Sequence, residues 1–236
     1  DCLAVLERID GAEWLVIHEG GTRLPLMDVA QVPATFEGLV RYNVANALHA
    51  AAACHLAGID HAAIRQGLAG FRMSSDTTPG RLNFFEGLPF RLLLDYAHNP
   101  DGIARLCEFV DRIPVRGRKI LVFSAPGHNT VPVIAGNARS AAGHFDHYVC
   151  FNYQRNVSKG QEDVPRVLAD TLRAHGVGSD CIEIESLEMD ALEKILRLAR
   201  PDDFVVFLSG VSNRTAVRER IDAFAAALRS EERRVG

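Results

Sequence analysis

From residue 79 onward, apolar and polar stretches alternate regularly. Short apolar-rich runs of three to five residues stand at 82–85, 90–94, 120–124, 147–151, 181–183 and 204–208. Between them lie longer segments with helical spacing, at 102–110, 133–142, 164–175, 189–199 and 214–229. Brief apolar runs bounded by turn residues predict strands, and the longer periodic segments predict helices. Strands alternating with helices of this length imply a mostly parallel sheet covered on both faces, an α/β domain of Rossmann-like type.

The opening of the chain reads differently. Residues 4–9 and 14–18 are apolar-rich, with the hairpin signal Asp10-Gly11 between them and a second turn at Gly20-Gly21. Residues 24–27 and 32–36 are expected to continue as extended chain, because Pro25 and Pro33 oppose helix. Residues 41–57 are Ala-rich and predict a helix, with Asn43 as its N-cap and Gly58 as its stop. Asn46 follows one turn later on the same face, and the two amides could read the edge of a planar heterocycle. A second helix starts at Ile59-Asp60-His61 and ends near Gly70, with Ala62, Ile64, Leu68 and Phe71 on one apolar face. Residues 72–78 are polar and aperiodic, which suits a linker. The expected division is therefore a β-meander with two helices over 1–71, a linker over 72–78, and the Rossmann-like domain over 79–236.

Candidate chemistry concentrates where the second of the later strands ends, in Asp95-Tyr96-Ala97-His98-Asn99-Pro100-Asp101. Ligands of open α/β sheets bind in the crevice outside the carboxyl ends of the strands, so Asp95 sits where an acceptor for ligand hydroxyls is useful. Position alone serves equally well a cap for the next helix, from Asp95 or Asn99. The loops at 124–130, 152–156 and 209–214 also follow predicted strands and should share that rim. No Gly-x-Gly-x-x-Gly follows any strand, which removes support for a dinucleotide site, and no Gly-x-x-x-x-Gly-Lys-[Ser/Thr] phosphate loop occurs. His144 and His147 form a His-x-x-His without an evident acidic partner, so no metal is assigned. Five well-separated cysteines read as reduced thiols of a cytoplasmic protein. With 26 basic and 30 acidic residues there is no footprint for nucleic acid or an acidic membrane, and no apolar run approaches the ~20 residues of a membrane span. The start, Asp-Cys-Leu-Ala, has neither a signal peptide nor an initiating Met, which suggests a fragment.

Pro79-Gly80-Arg81 followed by Asp95-Tyr96-Ala97-His98-Asn99-Pro100-Asp101 resembles the signature of the carboxyl-terminal domain of the Mur ligase superfamily. Asn43-Val44-Ala45-Asn46-Ala47-Leu48 resembles the helix that closes the central domain of those enzymes, in the form closest to cyanophycin synthetase-like members. The resemblance covers nearly all of residues 14–228. Two positions depart from it. Tyr42 stands where the family usually has His, and His128-Asn129-Thr130 replaces a charged continuation after Pro126-Gly127. What the resemblance implies is ATP-dependent amide formation, in which a carboxylate is phosphorylated and the acyl phosphate is attacked by an amine. ATP and Mg²⁺ would be the cofactors, with the Mg²⁺ site mainly outside this chain. Asp95 would accept hydrogen bonds from ribose hydroxyls, Arg81 would reach phosphates, and Asn43 and Asn46 would flank adenine. His98 is a catalytic candidate. Asn99, His128, Arg155, Ser209 and Gly210 are candidates for holding an amino-acid or peptide substrate. The family carries its phosphate loop in the central domain, so this chain reads as the tail of that domain plus a complete carboxyl-terminal domain, inactive alone. Folylpolyglutamate synthase and peptidoglycan stem-peptide ligase fragments offer the same chemistry on other substrates. A degenerate, non-catalytic scaffold is the alternative of a different class. The amino acid joined, its acceptor and any homo-oligomer are left open.

Overall fold

The computed structural model describes residues 2–126, 128–157 and 163–235. It divides into two compact units, Asp1–Met73 and Ser74–Gly236.

In the first unit, β1 (Cys2–Ile9), β2 (Ala12–Glu19) and β3 (Thr22–Asp28) form an antiparallel meander. Asp10 and Gly11 both take positive φ, the backbone that a two-residue hairpin turn requires. The β2–β3 register slips between Leu15 and Val16, and this bulge accommodates Pro25 on the edge strand. Helices α1 (Arg41–Leu56) and α2 (His61–Gly70) supply Val44, Ala47, Ala51 and Ile64 to a core shared with Leu15, Ile17, Leu26 and Met27.

Three local expectations are corrected here. Pro33–Thr35 is a short 3₁₀ turn rather than extended chain. Pro33 occupies its first position, where a missing N–H costs nothing, and buried Thr35 places Oγ1 2.8 Å from the carbonyl of Val32. Helix α1 begins at Arg41, with Val40 as its N-cap, so Asn43 lies inside the first turn and caps nothing. On α2, Ile64 and Leu68 face the core while Ala62 and Phe71 are exposed.

The second unit is built on six strands, β4 (Asn83–Phe85), β5 (Arg91–Asp95), β6 (Lys119–Phe123), β7 (His147–Cys150), β8 (Ile182–Ile184) and β9 (Phe204–Leu208). Their spatial order is β4-β5-β9-β6-β7-β8, antiparallel at β4 and parallel elsewhere. The helices are α3 (Pro100–Arg112), α4 (Val131–Ala141), the single turn α5 (Gln154–Val157), α6 (Val164–Ala174), α7 (Glu188–Leu198) and α8 (Arg214–Val235). Leu92, Leu94, Ile120, Val122, Val149, Val205 and Phe207 form one core with Ala191, Leu192 and Ile195 of α7 and Val217 and Ile221 of α8. The alternate residues Leu93, Leu121, Tyr148, Cys150 and Val206 are equally buried and face the other side, where α3, α4 and α6 form a layer. The last strand in sequence thus lies between β5 and β6, and its helix leaves on the face opposite to theirs. At such a reversal open α/β sheets take their ligands in the crevice beyond the carboxyl ends of the strands, here those of β5, β9 and β6.

At the other end of these strands, buried Asp203 accepts hydrogen bonds from Arg118 Nη2 (2.7 Å), the Arg118 amide (2.8 Å) and the Arg200 amide (2.9 Å). Burial works against ionisation there, but the hydrogen bonds from Arg118 and the amide of Arg200 outweigh it, so the carboxyl titrates below the ordinary 3.8. His144 and His147 go to separate carboxylates, Asp111 and Glu183, each at 2.8 Å. All five cysteines are free thiols, and no helix of the described residues is long and apolar enough to cross a membrane.

Candidate nucleotide site

Asp95 ends β5 on the crevice rim and is 6% exposed. Its Oδ2 accepts the Leu82 amide at 2.9 Å and its Oδ1 accepts the Ala97 amide at 2.8 Å. Burial raises its pKa above 3.8, opposed by those amides and by the charge of Arg81. The carboxylate therefore ties the Pro79-Gly80-Arg81 loop to the loop after β5. A second tie comes from Asn83, which the strand pattern gave no reason to single out. Its Oδ1 accepts the Gly80 amide at 2.6 Å, and its Nδ2 donates to the carbonyls of Thr78 (3.1 Å) and Arg81 (2.9 Å). Gly80 has φ +72° and Leu82 +48°, so the loop holds a backbone that few sequences accept. A Cβ on Gly80 would strike the Arg214 side chain, whose Nη1 donates to the Pro79 carbonyl.

Arg81 is exposed, and its guanidinium carbon lies over the Tyr96 ring, 5.1 Å from the centroid. Tyr96 stacks in turn with His98, with centroids 4.6 Å apart. His98 Nδ1 lies 3.0 Å from the Tyr96 carbonyl, an acceptor, so the proton sits on Nδ1 and Nε2 keeps its lone pair in the neutral ring. Asn99 is the N-cap of α3, its Oδ1 accepting the Gly102 amide at 2.8 Å, with Pro100 at the first helical position.

Ser209 and Gly210, expected to touch substrate, turn inward instead. Ser209 Oγ donates to Glu188 Oε1 at 2.7 Å, and the Gly210 amide donates to the same oxygen at 3.0 Å. Asn213 Nδ2 donates to Glu188 Oε2 at 2.7 Å. Glu188 is 1% exposed, and burial raises its pKa against these three donors. Sequence reasoning missed it, since a Glu opening an amphipathic helix normally faces solvent. Gly210 has no room for a side chain, because a Cβ would lie 2.9 Å from Tyr153 Cε1. The loop after β6 is braced by Asn156, which donates to the Ala125 carbonyl at 3.1 Å, and His128 on that loop is exposed. The side chain of Arg155 lies outside those described. Two buried polar atoms near the crevice lack partners among the described residues, Ser124 Oγ after β6 and Asn137 Oδ1 on α4. Asn137 Nδ2 donates to the His98 carbonyl at 3.2 Å.

Asn43 and Asn46 belong to the first unit. Asn43 is buried and donates to the Ala34 carbonyl at 2.7 Å, while Asn46 is exposed and donates to Asn43 Oδ1 at 3.2 Å. Asn43 thus restrains the exposed Asn46 through its amide.

Residues 80–210 match the family model described as the Mur ligase, glutamate ligase domain. The chain belongs to the Mur ligase family. This Mur ligase chain is 30% identical over 193 residues to cyanophycin synthetase of Geminocystis herdmanii, an alignment covering 82% of the chain and 22% of that protein. It is also 30% identical over 171 residues to a UDP-N-acetylmuramoyl-L-alanyl-D-glutamate–2,6-diaminopimelate ligase of Clostridium acetobutylicum, covering 70% of the chain and 33% of that ligase. The chain therefore spans a third or less of the length of these relatives. Among solved structures, E. coli FolC in complex with ADP superposes with a TM-score of 0.65 at 20% identity, covering 99% of this chain and 47% of FolC. The murein peptide ligase of Psychrobacter arcticus gives 0.65 at 17% identity, covering 95% of this chain and 44% of that one. Both likenesses concern the fold.

Proposed function

We propose that this chain supplies nucleotide and amino-acid binding to an ATP-dependent carboxylate–amine ligase of cyanophycin synthetase type. The observation that carries the reading is the knot at the end of β5, where Asp95 and Asn83 pin the Pro79-Gly80-Arg81 loop and leave the Arg81 guanidinium exposed. The donor set fits a nucleotide. A guanidinium with free N–H groups suits phosphate oxygens, and the Asp95 carboxylate has acceptor capacity beyond its backbone bonds for a ribose hydroxyl. When bound, ATP supplies the phosphoryl group that activates a carboxylate toward an amine. Arg81 binds phosphate, Asp95 orients the ribose, and Asn46, set by Asn43, offers its carbonyl to the adenine amino group. His98 offers Nε2 as a proton acceptor on the same rim. Asn99 and His128 meet the amino-acid substrate, while Glu188 shapes the loop that Ser209 and Gly210 form. Mg²⁺ is assigned to no residue of this chain. Residues 72–78 act as the hinge between the units, and the free thiols suit a reducing, cytoplasmic compartment.

The test compares the full-length protein with the 236-residue chain in phosphate release with ATP, Mg²⁺ and a panel of amino acids. Activity in the long protein alone, abolished by Arg81→Ala, is the expected result. Turnover by the short chain, which carries no phosphate-loop sequence, would overturn the division of labour. Full activity of the long Arg81→Ala variant would overturn the site.

A further inference from the structure

We infer that Tyr96 is a positioning residue that holds the Arg81 guanidinium open toward an oxyanion, an inference that rests on the phosphate role of Arg81 proposed above. An exposed arginine beside a carboxylate ordinarily pairs with it, and its N–H groups are then spent. Here Asp95, the neighbouring carboxylate, is buried and holds the Leu82 and Ala97 amides. Among the described residues no carboxylate forms an ion pair with Arg81. The guanidinium instead lies over the Tyr96 ring, 5.1 Å from its centroid. A contact of that kind sets the cation against the face of an uncharged ring and leaves its charge unneutralised. The N–H donors lie in the guanidinium plane, and a phosphate oxygen pair approaches in that plane. The contact therefore restrains a long, flexible side chain without a carboxylate that would compete with the anion.

The platform is itself held. Ala97, the residue after Tyr96, is bonded to Asp95. The Tyr96 ring stacks with His98, and its carbonyl accepts from His98 Nδ1. The His98 carbonyl accepts from Asn137 on α4. On the arginine side, Asn83 fixes the carbonyl of Arg81 and the amide of Gly80. Both ends of the stack are thus built on backbone that side chains anchor to the sheet.

The experiment uses the full-length protein and measures binding of a non-hydrolysable ATP analogue and of adenosine by calorimetric titration. Arg81→Ala should weaken the analogue and leave adenosine unchanged. Tyr96→Leu should weaken the analogue by about two- to five-fold, the range for an exposed cation–π contact, again without effect on adenosine. Tyr96→Phe keeps the π face and should bind within about two-fold of the parent. Tyr96→Gln provides a second ringless variant should Tyr96→Leu not fold. In an Arg81→Ala background the ringless substitution should add nothing. Parental affinity in both ringless variants, a Phe variant as weak as they are, or an unchanged loss in the Arg81→Ala background would each overturn the role of Tyr96. Unchanged analogue affinity in Arg81→Ala would instead overturn the reading of Arg81 on which it rests.

Discussion

Replacing Asp95 with Asn and with Ala measures how much of the rim hangs on one carboxylate. The wild-type oxygens receive the Leu82 amide at 2.9 Å and the Ala97 amide at 2.8 Å. Asn keeps one acceptor oxygen, but its NH₂ must face the other amide. That loses one hydrogen bond to a charged acceptor, worth about 1.5–3 kcal/mol, and leaves a buried donor unmatched. A gain offsets part of the loss. Burial holds the Asp95 pKa above 3.8, so at neutral pH the folded wild type carries the cost of an ionised buried group that Asn avoids. The net loss should be about 1–2 kcal/mol for Asp95→Asn and about 3–5 kcal/mol for Asp95→Ala, which drops both acceptors. In a unit the size of Ser74–Gly236, each kcal/mol lowers Tm by roughly 2–4 °C. Circular dichroism is weighted toward this unit, which holds α3 to α8, while fluorescence of Trp14, the single tryptophan, reports the first. The sign of the pH dependence follows from the raised pKa. Stability from protonated Asp95 is present below 3.8 and lost as pH rises through the folded value, so the deficit of Asp95→Asn should narrow from acid to neutral pH. Equal losses for Asn and Ala, or none for either, would refute the claim that the carboxylate holds the two amides.

At the opposite end of the sheet, Arg118→Ala takes the compensating charge from the buried Asp203 carboxylate, leaving it only backbone amides, and should cost about 3 kcal/mol in urea unfolding. Because the Asp203 pKa is depressed, its contribution is present above 3.8 and lost as pH falls through the lower folded value. The variant should therefore show a shallower decline in stability on acidification than the parent. Limited trypsin digestion should cut first after Arg72, ahead of any site in residues 79–229, and preferential cleavage within α6 or α7 would count against a hinge at 72–78.

What the sequence discloses here is local chemistry with local partners. The run 204–208 is apolar throughout, as a strand buried on both faces must be, and β9 occupies those residues. Asn99 precedes Pro100, and of the two readings of that loop the helix cap is the one that puts it at the head of α3, where it stands. Errors arose where a rule has two outcomes. Pro33 excludes a helix interior but welcomes a first turn, and Asn43 favours a cap but also serves a carbonyl across a turn. The supports of the site were hidden for another reason. Glu188 is defined by donors on Ser209, Gly210 and Asn213, and no pattern around residue 188 announces them. Asn83 looks like one more strand position until the positive φ of Gly80 and Leu82 brings three backbone groups to its amide.

The place of β9 has a consequence for how this chain is made. Arg91 of β5 and Lys119 of β6 both pair with Phe204, so the two strands at the heart of the sheet meet only through a segment synthesised long after them. Until the ribosome has delivered residues 204–208, β5 and β6 each present an open, apolar edge, a hazard for pairing with the wrong chain. The Asp95 rim cannot be assembled earlier either, since the Ser209 amide closes on the Asp95 carbonyl. A nascent chain arrested before Phe204 would carry every residue of the Arg81–Tyr96–His98 stack and still depend on chaperones to keep it soluble.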